Sequence, residues 1–464
     1  MTTTRLFDRL LHCLFLAIFL LFPFQKKHKL CRLYPSDNID LPHSFSTAVY
    51  YYFTDILILA FIALCLYRYR RQLMDFFFFG PAKYLTSLIM IALLSLSQSI
   101  MPGYCLHYVR LFQFSIPIFF FLAAIMYVRK KQITHVFWII YATAMVQCVI
   151  AIAQYFTQDS LNLHAFGEVN NDFFRFRMIT GERWLFDTLF GISTGTNYLL
   201  RACGTFDHPN VFGGFIFFSL IITYVLYLQS SKILSQRVLL ISIFFLFFSL
   251  CVSFSRAALF AAVISTGLCA GLSLYRYFFV SKDVQILKVF KLCSTAALSV
   301  TLCLALLYAP FFERGGVINY NQLVQSADGE RVAYQKMACE MAKDSLLLGV
   351  GFNQFQIYSQ QHAHPAHLFS KVHNIYLLLL AELGICGLAS FLLFAFALVK
   401  TAAKAPWDER GIALFSLFIG LLFIGGCDFY FLEGHKPRIF FWAGAFLLYI
   451  STAPKQKQIE VLAS

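Results

Sequence analysis

The stretch VFGGFIFFSLIITYVLYL, residues 211–228, has no charged side chain over a length sufficient to cross the hydrocarbon core of a bilayer as a helix. Backbone polar groups in lipid have no water to bond. An apolar run of this length therefore reads as a helix whose N–H and C=O groups satisfy one another. Outward from it, eleven further runs fit the same reading: 10–24, 51–67, 84–101, 108–128, 133–156, 238–254, 257–275, 291–309, 373–398, 411–427 and 438–452. The first and last are short, and Phe254 to Arg256 breaks either between two spans or inside one long helix. The fold expected is an all-α polytopic membrane protein of about 12 transmembrane helices.

Composition agrees. Of 464 residues, 59% are hydrophobic and only 13% charged, too few charges to cover a water-soluble protein of this size. Mean hydropathy is +0.69. The 55 phenylalanines fit rings that face acyl chains. The net charge of +14 lies in short clusters between apolar runs, not in one stripe or domain, so membrane lipids and not nucleic acid are the expected partners. Thirteen cysteines show no CxxC and no metal-ligand spacing. Most sit in apolar runs as small fillers, while Cys31, Cys203 and Cys339 fall in expected loops where pairing is open. No small-residue cleavage site follows Leu10 to Phe24, so the first run is expected to stay as a helix.

Lysine and arginine in short loops resist translocation and set orientation. In the twelve-span arrangement Arg68/Arg70/Arg71/Lys83, Arg129/Lys130/Lys131, Lys232/Arg237, Arg276/Lys282/Lys288 and Lys400/Lys404/Arg410 share one side. That side is expected to be cytoplasmic, with both termini. Lys26, Lys27, Lys29 and Arg32 disagree and fall outside. Either the first helix is misplaced or this loop has work on the outer face. Two long segments, 157–210 and 310–372, also lie outside, and long loops in a compact protein are more often functional than idle. Within the second, Ser326 to Gly349 spaces Arg331, Tyr334, Met337, Ala338 and Met341 as a helix lying over the membrane surface. The chain divides into helices 1–5 with an external loop (1–200), a core with the 310–372 loop between helices 9 and 10 (201–398), and a last pair of helices with a tail (399–464).

Four polar signatures fall at the external ends of these helices. Arg201-Ala-Cys-Gly-Thr-Phe-Asp207-His208-Pro-Asn210 precedes the sixth span; a turn with Asn210 capping the next helix explains its end, but not Arg201. Ser253-Phe-Ser255-Arg256 sets an arginine among apolar residues, at about 2.5–3.5 kcal/mol on insertion scales, which argues for a polar cavity and a partner. Gly329-Glu-Arg331 is followed by Asp344-Ser-Leu-Leu-Leu-Gly349-Val-Gly351-Phe-Asn353, where glycines allow a sharp turn and Asn353 can bond backbone or sugar hydroxyls. His373-Asn374 opens the tenth span; Glu382 lies farther along as a helix–helix bonding group, with Gly384 and Gly387 permitting close packing. A histidine at a water–membrane boundary can take a proton. His362, His364 and His367 admit a metal reading, yet no carboxylate or cysteine completes the set, and no metal or cofactor is expected.

Arginines and one histidine at an external membrane face suit a lipid-linked diphosphate. Arginine binds phosphate oxygens bidentately and stays charged, and histidine can activate an acceptor hydroxyl. At these same residues the sequence resembles the O-antigen ligase/O-antigen polymerase superfamily of bacterial membrane proteins. Four blocks occur in order between Arg201 and Gly387: Arg-x-x-Gly-Thr-Phe-x-His-Pro-Asn, Ser-x-Ser-Arg, Arg-x-x-Tyr with Leu-Gly-Val-Gly-x-Asn-x-Phe, and His-Asn-x9-Gly-x-x-Gly. The first five spans match only in hydropathy, and Leu388 stands where a threonine often follows the second glycine.

The resemblance implies a GT-C-like fold and a metal-independent, inverting transfer from undecaprenyl diphosphate, at the periplasmic face of the inner membrane. Carried over, Arg201 and Arg256 hold the diphosphate and His373 is the base or orients the acceptor. Arg331, His208, Asn210, Ser255, Asn353 and Asn374 are candidate substrate-binding residues. Lipid A–core is the favoured acceptor, with another glycan (polymerase) or a protein hydroxyl as alternatives. A transporter of small anions, from another class, predicts charged or broken segments at mid-membrane in paired halves, whereas these signatures cluster at one face.

Overall fold

Among the residues that the computed structural model describes (2–32, 48–78, 80–98, 130–170, 174–177, 198–282, 285–308, 311, 327–362, 371–405 and 407–452), helices lie over eleven of the apolar runs. The remaining run, 108–128, lies outside the described residues. In chain order the helices are α1 (Thr2–Leu21), α2 (Phe53–Phe78), α3 (Ala82–Ser95), α4 (Lys130–Thr157), α5 (Pro209–Gln229), α6 (Ile233–Val252), α7 (Arg256–Phe279), α8 (Ile286–Leu306), α9 (Ala327–Asp344), α10 (Phe355–His362), α11 (Ile375–Lys404), α12 (Glu409–Cys427), α13 (Tyr430–Glu433) and α14 (His435–Thr452). Eight of them, α1, α4, α5, α6, α7, α8, α11 and α12, contain a stretch long and apolar enough to cross a membrane. The chain is a multi-pass helical membrane protein.

The helical fold carries short strands only in loops at one end of the bundle among the described residues. Two antiparallel ribbons form there: β1 (His28–Arg32) with β2 (Ala48–Tyr51), bulged between Lys29 and Cys31, and β3 (Arg175–Arg177) with β4 (Tyr198–Leu200). Pairing lets these loops satisfy their backbone groups without water.

Residues 253–255 separate two helices. Phe254 adopts a left-handed φ of 50°, which ends α6. Ser253 Oγ donates to the Leu250 carbonyl at 2.6 Å and accepts the Ser255 N–H at 3.2 Å, holding the turn. The chain then returns, because Lys288, at the start of α8, donates to the Leu228 and Ser230 carbonyls at the end where α6 began.

Helix α5 is apolar all round and buried almost throughout, packed by α4, α6, α7, α12 and α14. Its phenylalanines therefore line the core and do not face lipid: Phe215 stacks near Phe206, Phe22 and Phe440. Phe260, Phe278, Phe279, Phe290 and Phe396 are exposed, as rings facing acyl chains should be.

Hydrogen bonds fix which helix ends lie together. Thr54, opening α2, meets Gln25 after α1 and His435 opening α14. Asn210 in α5 meets Asp428 after α12, which meets His373 before α11. The Lys288 contacts and the Arg276–Glu409 ion pair at 3.6 Å mark the opposite end, where the basic clusters at 232–237, 276–288 and 400–410 gather. The 310–372 segment holds α9 and α10. Tyr334, Met337, Ala338 and Met341 of α9 are buried with Val372, Leu378 and Ala381, so this amphipathic helix turns its apolar face onto α11.

Candidate active site

Local sequence explains how each polar group is aimed. His208 is the N-cap of α5: its Nδ1 accepts the Asn210 N–H at 3.0 Å, and Pro209 needs no partner at the first helical position. The cap expected at Asn210 thus falls to His208. Asn210 is freed for two side-chain bonds, accepting from Arg201 Nη2 at 2.6 Å and donating Nδ2 to Asp428 Oδ2 at 2.8 Å. Arg201, 7% exposed, also donates Nε to the Ser253 carbonyl at 3.1 Å. Asn374 caps α11 through the Tyr376 and Leu377 N–H groups and donates to the Gly426 carbonyl at 3.0 Å.

His373 completes the chain of bonds. Its Nδ1 lies 3.2 Å from Asp428 Oδ1, and its ring meets Phe429 edge-on at 5.1 Å. Burial pushes the Asp428 carboxyl up, but the hydrogen bond and charge of His373, the charge of His208 and the Asn210 amide outweigh it and hold the group below its ordinary value. The carboxylate is therefore ionised and can only accept, so Nδ1 carries the proton and donates. In the neutral imidazole Nε2 is then the nitrogen with the lone pair, on a side chain 25% exposed.

An unbroken path results: Ser253, Arg201, Asn210, Asp428, His373. It joins the first, second and fourth sequence signatures at one end of the bundle. Arg256 is the first residue of α7, exposed at this end of the bundle. Ser255 is buried against Gly213, where an added Cβ would come within 2.7 Å of the Ser255 Cβ. Arg331 is half-buried on α9, and its charge reaches Cys427, the neighbour of Asp428.

Asn353 is not part of this path. Its N–H donates to Glu382 Oε2 at 2.9 Å and its Oδ1 accepts from Lys371 Nζ at 2.8 Å. Glu382 also accepts from the Phe355 N–H and, at 3.1 Å, from Lys371. The carboxylate expected between helices instead fastens the Gly349–Phe355 loop onto α11. Of the histidines raised as metal ligands, His362 ends α10, and His364 and His367 lie outside the described residues. Neither Cys203 nor Cys339 is in a disulfide.

Sequence reasoning missed Asp428 and Lys371. The signal for Asp428 was a lone carboxylate closing an apolar span, in Gly425-Gly426-Cys427-Asp428. That is the same cue that singled out Arg256.

Apolar helices thus hold a connected Arg, Asn, Asp and His set at one end of the bundle. Residues 241–392 match the family model described as O-antigen ligase. The match runs from α6 into α11 and takes in Arg256, Arg331, His373 and Asn374, so this part of the chain is similar to the O-antigen ligase family. No curated protein matches the chain.

Proposed function

We propose that this chain moves an oligo- or polysaccharide from undecaprenyl diphosphate to an acceptor hydroxyl, with lipid A–core as acceptor, at the periplasmic face of the bacterial inner membrane. The observation that carries the reading is the His373–Asp428 pair, set at the bundle end opposite the basic clusters. The positive-inside rule puts those clusters, and both termini, in the cytoplasm. The His373-Asn374 block with its two later glycines favours ligation over polymerisation.

In this reaction the acceptor oxygen attacks the anomeric carbon while His373 Nε2 takes its proton. The bond from that carbon to the phosphate oxygen breaks, and its electron pair leaves with undecaprenyl diphosphate. A single displacement inverts the anomeric configuration. Asp428 stabilises the imidazolium as it forms and holds the ring in one tautomer. Arg256 neutralises the leaving diphosphate, and fixed guanidinium charge lets this run without a metal. Arg201 has Nε and Nη2 committed within the protein, so we assign it to positioning: it orients Asn210, which orients Asp428.

The test is lipopolysaccharide gel mobility in a ligase-deficient bacterium expressing the chain, beside a His373→Ala version at equal level. Long-chain glycan restored on lipid A–core by the first and not the second supports the reading. Undecaprenyl-linked glycan that lengthens instead assigns the chain to polymerisation.

A further inference from the structure

The basic loop that breaks the orientation pattern lies beside the candidate active site. Lys26, Lys27, Lys29 and Arg32 follow α1 at the bundle end that carries His373 and Asp428, whereas the basic clusters resolved in the fold gather at the other end. Positive charge in a short loop opposes translocation, so cations kept on this face work against the chain's own orientation. The loop folds as the β1–β2 ribbon. Lys26 and His28 are exposed, and the His28 ring stacks on Tyr51 at 5.3 Å, with Tyr51 itself 37% exposed. Lys27 Nζ sits 5.3 Å from the centre of the Tyr50 ring. Lys29 and Arg32 belong to strand β1.

The ribbon connects to the reaction centre through Asp207. Tyr52, the residue after β2, donates its hydroxyl to Asp207 Oδ2 at 3.4 Å, and the Asp207 charge acts on Lys27. Asp207 directly precedes His208, the α5 cap whose charge acts on Asp428. Aromatic rings that are partly exposed suit the C–H groups of a sugar, and ammonium groups beside them suit a phosphate or carboxylate on it.

From this juxtaposition we infer that the β1–β2 ribbon docks the acceptor, and that the acceptor is an anionic glycan, bearing phosphate or carboxylate near the hydroxyl that is glycosylated. The inference rests on the glycosyl-transfer reading and narrows its acceptor.

The experiment uses the full chain in nanodiscs of zwitterionic phospholipid. It is titrated with a hexose oligosaccharide bearing one phosphomonoester and with the same oligosaccharide after phosphatase treatment, and transfer is measured on the same preparation. Wild type is expected to bind the phosphorylated form about tenfold more tightly, the scale of one hydrogen bond to a charged group. Lys26→Gln/Lys27→Gln loses that preference, Lys26→Arg/Lys27→Arg keeps it, and the exposed Lys26→Gln alone weakens it. Equal binding of both forms by wild type, or a preference that survives in the Gln variant, overturns the inference; persisting transfer then leaves the glycosyl-transfer reading in place. A preference that appears only with anionic phospholipid in the disc also overturns it, in favour of a headgroup site. Preference without transfer supports an anionic-glycan site and removes the transfer reading.

Discussion

Asp428 is buried, yet its partners keep it charged, and the tautomer of His373 follows from that. Asp428→Asn should lower transfer by about 10²-fold or more without loss of the folded chain, since an amide cannot stabilise the imidazolium. Combined with His373→Ala it should cost little further, because the two act as a unit; a transfer assay on the double variant checks this. The depressed pKa of Asp428 also gives a pH dependence. The stabilisation is complete above the ordinary carboxylate value and is lost as pH falls through the lower folded one, so the unfolding temperature in detergent should fall on the acid side, and less so in Asp428→Asn. Arg256→Lys should also fail in transfer, as an ammonium cannot reproduce a bidentate fork; full activity there would remove the diphosphate role. His373 and Arg256 were legible because each stands out chemically from its apolar neighbours. Asp428 was not, because its partner lies 55 residues away and a lone acid after two glycines resembles an ordinary helix end.

At the scale of elements, hydropathy located the helices because lipid leaves the backbone no alternative. The two ribbons were hidden: each pairs short segments remote in sequence, with no alternating pattern to announce them. The kink in α11 was half-visible. Gly384 was expected to allow close packing, and it does, but it also adopts φ 64° and ψ −167° within the helix. A Cβ there would lie 2.3 Å from the Leu347 carbonyl oxygen, just ahead of the Gly349–Phe355 loop that Glu382 fastens. Gly384→Ala should therefore destabilise the protein by about 1–3 kcal/mol, read as a lowered unfolding temperature in detergent, through strain and displacement of the Gly349–Phe355 loop.

Over the whole molecule, a buried central helix gathers the ends of its neighbours, and residues from three of the four sequence blocks meet Asp428 there. That convergence explains why the site was legible as separate signatures and not as a path: Arg201, Asn210, Asp428 and His373 become neighbours only once α5, α11 and α12 are packed. The orientation is open to a direct check, since alkaline phosphatase fused after residue 362 should be active and fused after residue 404 inactive, reporting opposite sides of the membrane. The most direct measurement of the central claim is release of undecaprenyl diphosphate by the purified chain in nanodiscs, given a lipid-linked glycan donor and a lipid A–core acceptor. Release in step with glycosylated acceptor, reduced by roughly 10²–10⁴ in a folded His373→Ala variant, is the predicted result. A His373→Ala variant that releases undecaprenyl diphosphate at the wild-type rate would contradict it.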